Sequence, residues 1–310
     1  SDVKLDGVHA TSHFDTLRKQ DADKFPVSDH TMENRENKDR MQHVDGLRAV
    51  ALISVLLFHF GAQLPGGFLG VDIFFVISGF LMSRSMLMSA EADAYSIRRF
   101  LRTRMLRLCP ALLTTVLVTL LGSFLFMPVF MRPRLCSSAG SASVFLSNMF
   151  FISEGGYHDL SSASKPLLHT WSLSVEGQFY VLWALLPYLA SRRRVIIAIS
   201  TISLISLAAS ASLARQHPEF FFFSIVGRLY EFGLGCVAVV LYDFASGILA
   251  DTINAISVSS IVLSFFMLSS SASSSWYKTM PLITACAALI ATPDGIINRR
   301  LFSSAPFRRC

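Results

Sequence analysis

His59 stands inside an apolar stretch, Ala49-Val-Ala-Leu-Ile-Ser-Val-Leu-Leu-Phe-His59-Phe60, and Arg48 precedes it by eleven residues. An imidazole gains or loses a proton near neutral pH. In a segment this apolar an ionisable group is costly, and inside a membrane it marks a functional site by default. At about 100° per helical residue, eleven steps return to within roughly 20° of the starting direction, about 16 Å further along the axis. Arg48 and His59 therefore share one helix face, the arginine at the membrane edge and the histidine near its middle. The competing use for His59 is a buried hydrogen bond to a neighbouring helix. Other ionisable pairs show helical spacing. Arg104 and Arg107, one turn apart, either clamp a phosphate or anchor their helix at lipid headgroups. Ser172 and Glu176, four apart, serve either a polar network between helices or a substrate. Arg228 and Glu231, three apart in an apolar block, are placed to neutralise each other. Asp72 either caps a helix near the outer face or binds acceptor hydroxyls.

The elements that position these residues follow from composition. Of 310 residues, 52% are hydrophobic and only 15% charged, against about 25% charged in soluble domains. Mean hydropathy is +0.51. The apolar residues come in long blocks, at 108–131, 167–190, 195–214, 220–242 and 253–271, with shorter ones at 49–64, 68–88 and 280–291. This pattern predicts an all-α polytopic integral membrane protein with about eight transmembrane helices in one domain, residues 43–310. The weakly apolar piece Ala142 to Ile152 fits a re-entrant or interfacial segment. Gly155, Gly156, Tyr157, His158 and Asp159 then lie near the extracytoplasmic mouth.

The net charge is +6, and its placement argues against nucleic acid as a partner. Arginines gather between Arg84 and Arg107, at Arg192-Arg193-Arg194, and at Arg299, Arg300, Arg308 and Arg309. With eight spans these loops fall on one side together with the N-terminus, and the positive-inside rule makes that side cytoplasmic. Residues 1–42 carry seven Lys/Arg and nine Asp/Glu among Ser, Thr and Asn without a period. They read as a disordered cytoplasmic tail, with no apolar run of the signal-peptide kind. The five cysteines are scattered, forming neither a metal site nor a disulfide framework.

Several stretches taken in order resemble the membrane-bound acyltransferase 3 family. They are Asp45-Gly46-Leu47-Arg48 with His59, and Gly66-Gly67-Phe68-Leu69-Gly70-Val71-Asp72 running on to Ser78-Gly79-Phe80. Next comes Arg102-Thr-Arg104-Met-Leu-Arg107-Leu-Cys109-Pro110, similar to the family's cytoplasmic Arg-x-x-Arg loop, and then Leu168-His169-Thr170-Trp171-Ser172-Leu173-Ser174-Val175-Glu176. The resemblance runs from about Asp45 to Phe307.

It implies transfer of an acyl group, often acetyl, from a cytoplasmic acyl-CoA to a hydroxyl of an extracytoplasmic acceptor, commonly a carbohydrate. Acyl-CoA is then the donor substrate, no metal is required, and the bilayer is the surrounding partner. A hydroxyl becomes a good nucleophile when a base takes its proton, and a neutral imidazole suits that task near pH 7. On this reading His59 is the base, with Arg48 and Glu176 beside it in the catalytic set. Arg48 takes the phosphate side, Arg104 and Arg107 bind the nucleotide part of acyl-CoA, and Asp72, Ser172, Arg228 and Glu231 face the acceptor. Three departures stand out. Gly177 replaces a second acid common after Glu176, Cys109 precedes Pro110 in place of a larger apolar residue, and Leu301 to Phe307 resembles the lead into two further helices. The chain thus reads as a C-terminally truncated member. The alternatives are a transporter or channel, in which Arg48, His59, Asp72, Arg228 and Glu231 line a polar path, and a non-catalytic member that keeps only the fold.

Overall fold

The computed structural model describes residues 41–62, 64–91, 95–154, 165–189, 192–268 and 276–302. The N-terminal tail to residue 40, Gly155 to Asp159, and everything after Phe302 lie outside the described residues. Among the described residues all regular structure is helical. The main helices are α1 (Gln42–His59), α2 (Gly70–Glu91), α3 (Ile97–Phe126), α4 (Arg132–Ser143), α5 (Ser147–Ser153), α6 (Thr170–Leu185), α7 (Arg192–Leu213), α8 (Pro218–Phe223), α9 (Leu229–Val240), α10 (Gly247–Met267) and α11 (Trp276–Ala291).

Four stretches among the described residues are long and apolar enough to cross a membrane: Gly67–Met88, Ile97–Phe126, Arg193–Leu213 and Gly247–Met267. The expectation of about eight spans is thus met in part, since α9 and α11 are shorter apolar helices and α1 carries Asp45 and Arg48 in its first two turns. The block 220–242 is not one helix. It breaks at Ser224, whose extended backbone (φ −79°, ψ 149°) ends α8 while its side chain accepts from the Gly227 N–H. Gly227 allows this turn, because a Cβ there would sit 1.9 Å from the Phe221 carbonyl oxygen. Residues 142–152 form the end of α4 and most of α5, both far shorter than the roughly 20 residues a span needs.

The centre is α2, α6 and α9. Gly79 and Gly235 bring α2 and α9 backbone to backbone. A Cβ on Gly79 would lie 2.1 Å from the Phe232 oxygen, and one on Gly235 2.1 Å from the Val76 oxygen. Such small-residue contacts are how helices pack where lipid removes the hydrophobic drive between them. Around that crossing Phe179 stacks on Phe232 with centroids 3.9 Å apart, and the Trp183 indole N–H reaches Ser83 Oγ at 2.9 Å. At the periphery α3 buries 17% of its apolar window, against 61% for the span containing α2. Its 30 residues measure about 45 Å, beyond the roughly 30 Å hydrocarbon core. The turns bearing the arginines are the part with polar side chains to place outside that core.

Candidate active site

A cavity of about 460 Å³ opens between the C-terminal half of α1, the start of α2, the turn before α6 and the α8–α9 break. Its walls are apolar, with Leu52, Leu56, Phe60, Phe68, Phe74 and Phe222, and its chemical groups are His59, Asp72, His169, Ser172 and Arg228. His59 ends α1. Its Nδ1 lies 2.8 Å from the Val55 carbonyl oxygen. A carbonyl only accepts, so Nδ1 carries the proton of the neutral ring and Nε2 holds the basic lone pair. The His169 ring packs edge-on against His59, with centroids 4.4 Å apart and planes at 86°.

Arg228 forms the charged floor of the cavity. Its Nη1 donates to Asp72 Oδ1 at 2.7 Å and to Glu231 Oε1 at 2.8 Å, and its Nε donates to the Phe222 carbonyl at 3.0 Å. Trp171 and Phe222 present their rings to the guanidinium at 5.6 and 5.0 Å. All three charged residues are buried. The α8–α9 break makes this possible, because Arg228 sits where the chain is irregular and can turn back on Phe222. Asp72 therefore answers neither of its two expected uses alone: it lies in the first turn of α2 and is an ion-pair partner from 156 residues away.

A second polar group lies along α6 from the cavity. Glu176, one turn beyond Ser172, accepts from Ser78 Oγ of α2 at 2.5 Å and from the Tyr180 hydroxyl. Arg104 and Arg107 of α3 and Arg48 of α1 lie within electrostatic range of one another, and Arg48 and Arg104 also of Glu176. Arg48 also pairs with Asp45 at 3.1 Å. The Arg104 Nε is buried with no hydrogen-bond partner. Three cations thus meet two acids, which is a setting for an anion.

The nine expected site residues sort into these two groups. His59, Asp72, Ser172 and Arg228 line the cavity, with Glu231 bound to Arg228 behind it. Arg48, Arg104, Arg107 and Glu176 form the arginine cluster. Arg48 and His59 are not brought together: α1 is continuous between them, which separates their α-carbons by about 16 Å. Ser172 and Glu176 share α6 but serve different groups. The Arg-x-x-Arg stretch, expected as a loop, is the first part of α3. Ser96 starts that helix by accepting from the Arg99 N–H at 3.5 Å. Gly177 does not break α6, because the Phe145 ring fills the place of its side chain, 2.6 Å from where a Cβ would be. Sequence reasoning passed over His169 and Tyr180. Tyr180 has a signal, standing four residues after Glu176 on the same helix; His169 has only its place in the quoted motif.

The model of the family described as an acyltransferase domain, acyltransferase 3, matches residues 41–299. The chain belongs to this family. It is an acyltransferase by that membership, and the match spans both polar groups. Similar proteins include a putative membrane-bound transacylase, BcsY, of Komagataeibacter xylinus, 35% identical over 268 residues that cover 84% of this chain and 67% of that one. The O-acetyltransferase OatA of Staphylococcus aureus is 35% identical over 208 residues, 64% of this chain and 34% of its own length. The peptidoglycan O-acetyltransferase OatA of Listeria monocytogenes is 35% identical over 152 residues, 48% and 24%. The chain therefore matches about a third or less of the length of these two O-acetyltransferases. No solved structure matches the chain.

Proposed function

We propose that the chain is a transmembrane O-acyltransferase that moves an acyl group, acetyl in keeping with the names of its relatives, from cytoplasmic acyl-CoA to a hydroxyl of an extracytoplasmic acceptor such as a carbohydrate. The observation that carries the reading is His59, whose Nδ1 is tied to Val55 and whose basic nitrogen therefore serves a cavity of substrate size. In the reaction the acceptor hydroxyl proton passes to Nε2, the acceptor oxygen bonds the thioester carbonyl carbon, and the carbon–sulfur bond breaks. The proton then goes to the departing sulfur, so His59 ends as it began. Arg104, Arg107 and Arg48 take the phosphates of acyl-CoA, and the unpartnered Arg104 Nε is a donor in waiting. Asp72, Ser172 and Arg228 meet the acceptor, with Glu231 holding Arg228 in place. The arginine-rich side and the N-terminus face the cytoplasm, on charge asymmetry.

The test is transfer of labelled acetyl from acetyl-CoA to an added oligosaccharide by membranes carrying the chain. His59→Ala and His59→Gln should each lower turnover by about 10²- to 10⁴-fold at unchanged membrane content. Near-normal turnover of His59→Gln, which keeps a hydrogen-bonding group without basicity, would remove proton abstraction from the role of His59.

A further inference from the structure

His169 has no part in the reaction as described, yet its ring packs closer to His59 than the ring of Phe58 does. The local structure puts it there. The turn from Lys165 to Thr170 is pinned by backbone bonds from the Leu168, Thr170 and Trp171 N–H groups to the carbonyls three residues earlier. Leu167, Leu168 and Trp171 are buried. Thr170, also buried, donates to the Leu167 carbonyl at 2.7 Å and to Ser147 Oγ at 2.9 Å. The His169 carbonyl accepts from Ser172 Oγ at 3.3 Å, which ties it to the first turn of α6. Within this fixed turn the His169 side chain is exposed, and it lines the cavity.

His59 needs such a neighbour. It closes α1, where the helix gives way to a turn at Phe60 and Gly61, so the orientation of its ring is set by what packs against it. The Nδ1 bond to Val55 fixes one direction in the ring plane. The rotation of the plane is limited by two edge-on rings, Phe58 at 5.3 Å and His169 at 4.4 Å, each at 86°. Phe58 belongs to α1 and moves with it. His169 belongs to the rigid α6 turn, so it alone of the two references His59 to the rest of the cavity, including Ser172 and Trp171. A base must meet its proton at hydrogen-bond distance, and a misplacement of about 1 Å can lower a rate about 10²-fold.

We propose that His169 is a positioning residue, whose ring holds the His59 imidazole in the orientation that aims Nε2 at the acceptor hydroxyl. The proposal rests on the reading of His59 as the base. The contact works through shape, so an aromatic ring without nitrogen serves in its place. His169→Phe keeps kcat within about threefold, whereas His169→Ala lowers kcat about ten- to hundredfold with little change in KM for acetyl-CoA. The loss vanishes when the base is gone: His59→Gln/His169→Ala is no slower than His59→Gln alone, because a residue acting through His59 has nothing left to position.

The experiment measures acetyl transfer from acetyl-CoA to an oligosaccharide by the full chain in membranes, for both single variants, His59→Gln and the double variant. Thermal unfolding in detergent checks that each is folded; if His169→Ala is not, His169→Leu, with bulk but no ring, replaces it. Wild-type kcat for a folded ring-less variant overturns the proposal, as does equal impairment by His169→Phe, which would make the nitrogens and not the shape essential. Persistence of the His169→Ala loss in the His59→Gln background overturns it too, by showing that His169 acts on its own. Retained turnover in His59→Gln alone is a different failure, of the base itself.

Discussion

The cavity floor holds buried charge and the arginine cluster half-buried to exposed charge, and they treat it oppositely. In the cavity the cation is fully engaged: Arg228 donates to two carboxylates and a carbonyl and lies between two aromatic rings, and it is a carboxylate oxygen, Glu231 Oε2, that is left without a hydrogen-bond partner. In the cluster Arg48, Arg104 and Arg107 outnumber Asp45 and Glu176, and the buried Nε of Arg104 is unanswered. A guanidinium whose donors are all taken up inside a protein fixes geometry, whereas surplus guanidinium groups suit an anionic ligand. On the proposed reading the cluster receives the anionic donor, while the floor is held in place by its own ion pairs. The chemistry, on the same reading, falls to His59, in the wall of the cavity.

Breaking the pairing on the cavity floor should have the largest effect on the fold. Arg228→Met leaves Asp72 and Glu231 facing each other without a cation, and loss of one partner from a buried ion pair costs about 3–5 kcal/mol. The variant should unfold at a clearly lower temperature in detergent than the wild type. Arg228→Met with Asp72→Asn and Glu231→Gln removes all three charges and should recover most of that loss. A triple variant as unstable as the single one would show that packing of the guanidinium between Trp171 and Phe222, and not charge pairing, holds the floor.

The cluster should behave the other way. Arg104→Ala with Arg107→Ala removes surplus cations, so unfolding should change little, within about 0.5 kcal/mol as for ordinary surface changes. Each lost charge-assisted bond to a phosphate is worth about 1.5–3 kcal/mol, so acetyl-CoA should bind at least about tenfold more weakly. Isothermal titration or filter binding reads this directly. Unchanged affinity would leave the arginines only an anchoring role at the lipid surface.

How much of this was readable beforehand depends on the range of the interaction. Local periodicity was enough to find the apolar helices, the shared face of Ser172 and Glu176, and the Arg228–Glu231 pair, because each needs only a spacing of three to four residues. The candidacy of His59 rested on its apolar surroundings, and the structure places it in the wall of a cavity. What hydropathy missed was geometric. The run Phe220 to Val226 is apolar but for Ser224, and one serine does not interrupt a hydropathy pattern, so only Gly227 hints at the break that frees Arg228. The Asp72–Arg228 pair spans 156 residues and belongs to the tertiary fold. The Arg102 to Arg107 stretch was expected as a loop on its resemblance to the family's Arg-x-x-Arg loop, although the spacing of Arg104 and Arg107 is helical, and Ser96 starts a helix there. His169 stayed unassigned for the same reason: its partner is on another helix, 110 residues earlier.

The smallest effect sharpens the comparison most, because it concerns the one acid that belongs to the cluster yet is not bonded to it. Glu176 accepts from Ser78 and Tyr180, two neutral donors, although Arg104 and Arg107 are near. Those hydroxyls keep the carboxylate turned toward α2 and along α6, which leaves the arginines free for an anion. Tyr180→Phe removes one of the donors and Ser78→Ala the other, each at a cost of about 1 kcal/mol in stability. With both gone, Glu176 has only the arginines to turn to, and an internal carboxylate then competes with the phosphates. Ser78→Ala/Tyr180→Phe should bind acetyl-CoA about three- to tenfold more weakly, an effect of order 1 kcal/mol. Adding Glu176→Gln to the double variant removes the competing charge, so affinity should return even though no hydroxyl has been restored. Binding of acetyl-CoA to the four proteins at one salt concentration decides the matter. If the double variant binds as tightly as the wild type, Glu176 does not compete for the arginines, and its bonds to Ser78 and Tyr180 serve only to join α2 to α6.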